Sequence, residues 1–189
     1  MTWPRPAGPL TLRPPTDDDI DQALTWRYHP EVTKWLIRTE VDPDAFRKAW
    51  LDARDDPNDS SAVAELDGVI VGTGALEVQD GLGQTHGDEW RATEGLLGYL
   101  IDPRFAGNGY ATAIARALLE LSFTELGLRR VTAGCFADNL ASWRVMERLG
   151  MRREQHGVKD SWHAEFGWVD GFTYGILADE WLSGVARRA

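Results

Sequence analysis

Cysteine is nearly absent: Cys135 is the only one in 189 residues. That excludes an internal disulfide framework and fits a reducing compartment. Positive charge is also scarce, with 20 Lys and Arg against 30 Asp and Glu and a formal charge of −10. Nonspecific nucleic-acid binding needs a basic surface, so no nucleic-acid partner is expected. A cationic substrate such as an amine suits this balance. Long hydrophobic runs are missing too. The longest uninterrupted one, Gly95 to Ile101, is far too short to span a bilayer, and Met1-Thr2-Trp3-Pro4-Arg5-Pro6 lacks the apolar core of a secretory signal. The expectation is a cytoplasmic protein with no membrane partner. His29, His86, His156 and His163 show no metal-ligand spacing, and no metal is expected.

A hydrophobic content of 43% over this length suffices for one domain with a real core. Residues 1–9 read as a Pro-rich arm and 10–189 as the domain. Leu10-Thr11-Leu12-Arg13 is a short strand, and Thr16-Asp17-Asp18-Asp19 is helix-start chemistry. Helices are expected over about 18–28 and 43–54. Asp67-Gly68 between apolar runs predicts a hairpin joining 62–66 to 69–72. Residues 80–90 form a long, polar, Gly-rich loop, which we expect beside the acceptor entrance. A strand over 94–102, a helix over 107–126, a strand through Val131, Ala133 and Cys135, and a helix capped by Asp138 and stopped by Gly150 follow. Two closing strands, about 153–163 and 168–177, precede a short helix. The fold class is α/β, with a mixed, mostly antiparallel sheet.

The most informative stretch is Arg104-Phe105-Ala106-Gly107-Asn108-Gly109-Tyr110-Ala111-Thr112, lying between a strand and a helix. Glycines at 107 and 109 allow positive φ and a close ligand approach. The free N–H groups and dipole of the helix start suit a pyrophosphate, with Arg104 adding charge. The spacing Arg-x-x-Gly-x-Gly resembles the acetyl-CoA loop of the GNAT superfamily of N-acetyltransferases. Downstream, Asn139-Leu140-Ala141-Ser142-Trp143-Arg144-Val145 and Leu149-Gly150-Met151 resemble its Rim-type branch, which acetylates protein N-termini and related amines, as does His29-Pro30-Glu31-Val32-Thr33-Lys34-Trp35-Leu36.

The resemblance implies a single GNAT-type domain with helices on both faces of the sheet. It also implies acetyl-CoA as acyl donor, held by Leu100, Ile101, Asp102, the 104–112 segment, Asn139, Ser142 and Arg144. A backbone N–H on the strand ending at Asp102 would polarise the thioester, where a bulge splays that strand from the one at 131–136. The amine must lose a proton, and Glu94 is the first candidate base, with Asp160 second. Ser142 is the candidate for the leaving thiolate, because the branch's frequent tyrosine is Met146 here. Ala106 and Ala113 also depart from the family pattern. The acceptor reads as a peptide N-terminus, with a small-molecule amine or a non-catalytic acyl-CoA-binding module as alternatives and a homodimer left open.

Overall fold

The computed structural model describes residues 3–40, 42–84 and 86–186. In chain order its elements are β1 (Arg5–Ala7), β2 (Leu10–Arg13), α1 (Asp17–Arg27), α2 (Pro30–Thr33), α3 (Pro43–Asp55), β3 (Ala62–Leu66), β4 (Val69–Gln79), β5 (Glu94–Ile101), α4 (Tyr110–Thr124), β6 (Arg130–Phe136), α5 (Leu140–Arg148), β7 (Arg152–His163), β8 (Gly167–Leu177) and α6 (Ala178–Ala186). The strands form one sheet in the order β1-β2-β3-β4-β5-β6-β8-β7. Only the β5–β6 pair is parallel; every other neighbour is antiparallel.

Side-chain alternation divides the sheet into two faces. Leu97 of β5 packs in the larger core with Ile114, Leu118 and Leu121 of α4, and with Val145 and Met146 of α5. Leu100 points the other way, into a second cluster with Ala23 and Trp26 of α1 and Val32 of α2. Helix α4 lies close on the sheet because β4 has glycine beneath it: a Cβ at Gly74 would stand 2.6 Å from Ile114 and 2.7 Å from Leu118.

Four readings from the sequence need correction. Arg5–Ala7, taken as part of an arm, pairs with β2 as the edge strand. Pro6 is tolerated there because an edge strand has one unpaired side. Helix α4 starts at Tyr110, not 107, because Gly107 and Gly109 have φ of +81° and +79°. The cap of α5 is Asn139, whose Oδ1 accepts from the Ser142 N–H at 3.1 Å; its neighbour Asp138 has similar capping chemistry but stands one position early. Strand β4 continues to Gln79, pairing with the whole of β5.

Candidate active site

The parallel ladder between β5 and β6 is short. Glu94 faces Arg130, Gly95 faces Val131 and Leu96 faces Thr132, and there the pairing stops. Beyond that point β5 stays on β4 and β6 stays on β8, so the two strands diverge into a mouth that opens toward their C-terminal ends. No bulge produces this opening, contrary to expectation: the β4–β5 register is unbroken from Gly72↔Ile101 to Gln79↔Glu94.

Alternation identifies the groups that face the mouth. The Asp102 N–H bonds back to Val71 of β4, while the Gly95 C=O turns toward Thr132. In a regular antiparallel strand each residue's N–H and C=O point to the same side, reversing at the next residue. The Leu96↔Thr132 pairing takes up the Leu97 N–H on the Thr132 carbonyl, so it is the N–H groups of Tyr99 and Ile101 that face the mouth without a partner strand. Leu100 and Asp102 turn their N–H groups to β4.

At the open end the loop 104–109 leads into α4. Asp102 is 1% exposed and caps a single 3₁₀ turn, Pro103–Phe105, by accepting from the Arg104 N–H at 3.0 Å. The Arg104 guanidinium folds back onto the same carboxylate, Nε to Oδ2 at 2.9 Å, so its charge is already paired. Asn108 donates to the carbonyls of Phe105 and Ala106, bracing the turn. A Cβ at Gly107 or Gly109 would meet no atom within 4 Å, so the surface above both glycines is open. Tyr110 and Ala111 turn into the core, and Thr112 lines a 330 Å³ pocket between α4 and the β1–β2 hairpin.

The first turn of α5 closes one side of the mouth. Tyr99, on the α5 side of β5, donates from its hydroxyl to the Ser142 carbonyl at 2.9 Å, with Ser142 Oγ at 3.2 Å. Burial pushes the Tyr99 phenol up to about 12. Cys135 of β6 packs against the larger core, its thiol raised by burial to about 11. It is therefore a protonated, poorly nucleophilic thiol. Arg144 is exposed and lies over the Trp143 ring at 5.5 Å.

The candidate carboxylates are separated. Glu94 lies at the closed end, its oxygens taken by Arg129 and by Arg130, the latter at 2.7 Å. The chain of charges continues from Arg130 to Glu154, then to Arg152 at 2.9 Å and on to Glu180. Glu94 precedes Ile101 by seven residues, a span of about 23 Å along a strand. Asp160 stands near the open end instead. Between Gly157↔Gly171 and Ser161↔Val169, three residues of β7 oppose Asp170 alone, and Lys159 has φ +50°. This bulge turns Asp160 across β8, where a Cβ at Gly171 would lie 2.7 Å from its Oδ1. Gly171 pairs with Phe136, the last residue of β6. The opposite wall is α2 and its C-terminal extension, held by buried His163, whose Nε2 meets the Lys34 carbonyl at 2.7 Å between the rings of Trp35 and Phe136.

The structure thus brings the 104–109 loop, the β5 edge, Asn139 and Ser142 into one region, with Asp160 beside it and Glu94 away from it. Tyr99 escaped the sequence reading. Its signal was a polar tip on the buried phase of an apolar strand, where tyrosine hydroxyls find partners.

This arrangement matches a known class. Residues 9–152 fit the acetyltransferase (GNAT) domain model, and the chain belongs to that family. Its relatives include the N-acetyltransferase YnaD of Bacillus subtilis (strain 168), itself uncharacterised, 39% identical over 85 residues. That match covers 45% of this chain and 49% of YnaD, so it spans about half of that relative. A GNAT-family acetyltransferase structure from Bacillus anthracis superposes with a TM-score of 0.75 at 25% identity, covering 92% of this chain and 98% of that one. Mycobacterium smegmatis RimJ, solved in complex with CoA-disulfide, has the same fold: TM-score 0.74 at 23% identity, covering 98% and 96%.

Proposed function

We propose that the protein transfers an acetyl group from acetyl-CoA to a primary amine, with a peptide or protein N-terminus as the leading acceptor. The observation that carries this reading is the open β5–β6 mouth, flanked by a glycine-shaped helix N-terminus on one element and Ser142 on another. Acetyl-CoA, when bound, supplies the activated thioester. The loop amides of 107–109 and the start of α4 would receive its pyrophosphate, and the pantetheine would lie along β5 as an added strand. The unpaired N–H groups of Tyr99 and Ile101 are the oxyanion donors on offer, fixed in place before reaction.

Proton handling falls to side chains. An α-amino group titrates near about 8 and a lysine near about 10.4, so the acceptor arrives charged. We assign its proton to Asp160, directly or through water, because the bulge aims this carboxylate at the open end. Glu94, clamped by two guanidinium groups, serves to hold the closed end. Ser142 Oγ–H is the group for the departing sulfur. Tyr99 orients Ser142 and remains neutral at physiological pH.

The test is free-thiol release from acetyl-CoA across peptides, polyamines and aminoglycosides. Turnover with peptides supports the leading acceptor, and turnover confined to small amines moves the assignment to that class. Binding of acetyl-CoA with no turnover on any amine would contradict the enzymatic reading and favour a non-catalytic acyl-CoA-binding module.

A further inference from the structure

Arg27 is a buried cation with no ion-pair partner among the described residues. It is 6% exposed, and its Nη1 is buried with no hydrogen-bond partner. Its Nη2 donates to the Arg38 carbonyl, and no acid pairs with it among the described residues. Burial holds its guanidinium below the usual arginine range. A buried cation without a counter-charge is strongly unfavourable, and native proteins rarely keep one without a use.

Its position says what that use is. Arg27 continues the buried stripe of α1 that begins at Ile20 and Ala23, so it faces the sheet and not solvent. The cluster beside it contains Trp26 and Leu100, and Leu100 lies on the β5 face opposite the α4–α5 core. Trp26 Nε1 is a second buried donor without a partner. Two adjacent residues thus present unsatisfied donors on the side of the mouth away from Ser142, under the wall formed by α2 and Lys34. The carboxylate of Asp160 lies on this same face and suits an ammonium. What Arg27 lacks is an anion paired with it.

We propose that Arg27 is the anion-recognising group of the acceptor subsite, and that the acceptor carries a carboxylate close to its reactive amine. This rests on the acetyl-transfer reading above and names the acceptor's chemistry. A planar guanidinium binds carboxylate through paired N–H donors, and such charge-assisted bonds are stronger than one backbone carbonyl supplies. The incoming carboxylate takes up Nη1 and displaces or joins the Arg38 carbonyl, so the 34–40 segment shifts as the acceptor enters. Two sources share this chemistry: the α-carboxylate of a free amino acid, and the acidic side chain of a peptide's first residues.

Rates on L-amino acids and their carboxamides, and on peptides beginning with Asp or Asn, test the proposal. The wild type should favour the carboxylate member of a pair by at least about tenfold in kcat/KM, or about 1.4 kcal/mol, and Arg27→Gln should level the pair. Each preference is a ratio within one protein, so a loss of folded enzyme cancels. The pair that shows the preference identifies the source of the carboxylate. A readout without turnover is calorimetry of N-acetyl-L-alanine against N-acetyl-L-alaninamide, and of N-acetylated Asp and Asn peptides, with CoA present. Carboxylate selectivity lost in Arg27→Gln supports the proposal even if no amine is acetylated, in which case the transfer reading falls alone. Equal treatment of acid and amide by the wild type in every pair overturns it. So does a selectivity that survives Arg27→Gln. If Arg27→Gln does not fold, Arg27→Lys keeps the charge without the fork, and an undiminished selectivity in that variant is equally contradictory.

Discussion

The two ends of the β5–β6 pair are built on opposite principles. At the closed end every charge is answered: Glu94, Arg129, Arg130, Glu154, Arg152 and Glu180 form a continuous chain of ion pairs across the sheet. At the open end groups are left over, namely the Tyr99 and Ile101 N–H groups on β5, a positive-φ turn with open space above it, and the buried Nη1 of Arg27. Backbone and buried polar groups normally find partners within the fold. On the proposed reading, the end that satisfies itself holds the strands and the end that does not receives the ligands. The two carboxylates at these ends therefore have different work.

Exchanging those roles by mutation gives the largest expected effect. Asp160→Asn should lower kcat/KM by about 10²–10⁴-fold at neutral pH, as for loss of a general base. Partial recovery at higher pH should follow, where the free amine is already present; steady-state rates against pH check this. Ser142→Ala should cost a similar factor without that recovery, and its deficit should shrink for acyl donors with more acidic thiols. Tyr99→Phe should show the same thiol dependence in milder form, because it acts through Ser142. Non-additivity in the double variant is the signature of that coupling.

Next in size is the cofactor turn. Gly109 has φ +79°, so Gly109→Val combines backbone strain with a side chain where the backbone must approach the ligand. Affinity for acetyl-CoA by calorimetry should fall at least about tenfold. At the closed end, Glu94→Gln should instead reduce stability, by about 1–3 kcal/mol for the partners left behind, or roughly 2–4 °C of Tm per kcal/mol at this chain length. Its kcat per folded molecule should remain near wild type. A deep kcat loss with unchanged Tm would return the base assignment to Glu94.

The smallest effect concerns the loop at 80–90. It hangs from the closed end, with Gly81 N–H on the Trp90 carbonyl at 2.6 Å and Ala92 N–H on Asp80 at 2.8 Å. Shortening it should change acceptor KM by only a few-fold and leave acetyl-CoA affinity intact. A large rise in acceptor KM would show that the closed end also selects the acceptor.

Much of this was legible locally. Gly107 and Gly109 carry a conformational demand that two residues express by themselves, and Asp67-Gly68 does the same for a hairpin. From β2 onward the order of strands and helices, α2 apart, followed from periodicity and turn signals. What escaped depends on contacts distant in sequence. Glu94 reads as a free acid until Arg129 and Arg130 are folded against it from 35 and 36 residues away. Tyr99 meets Ser142 across 43 residues. Asp160 gains its orientation from a bulge that only the β7–β8 register reveals. Arg27 left a trace, a charge on an otherwise apolar helix stripe, but whether it was paired was a tertiary matter.

The most direct test is to watch individual amides by NMR while acetyl-CoA is titrated into the protein. The N–H groups of Tyr99 and Ile101 should shift and gain protection from exchange, together with those of 107–109. The amides of Leu96, Gly98 and Leu100, already bonded to β4, should gain little, and Glu94 and Arg130 should stay unchanged. Saturation with acetyl-CoA that leaves Tyr99 and Ile101 untouched would contradict the account at its centre.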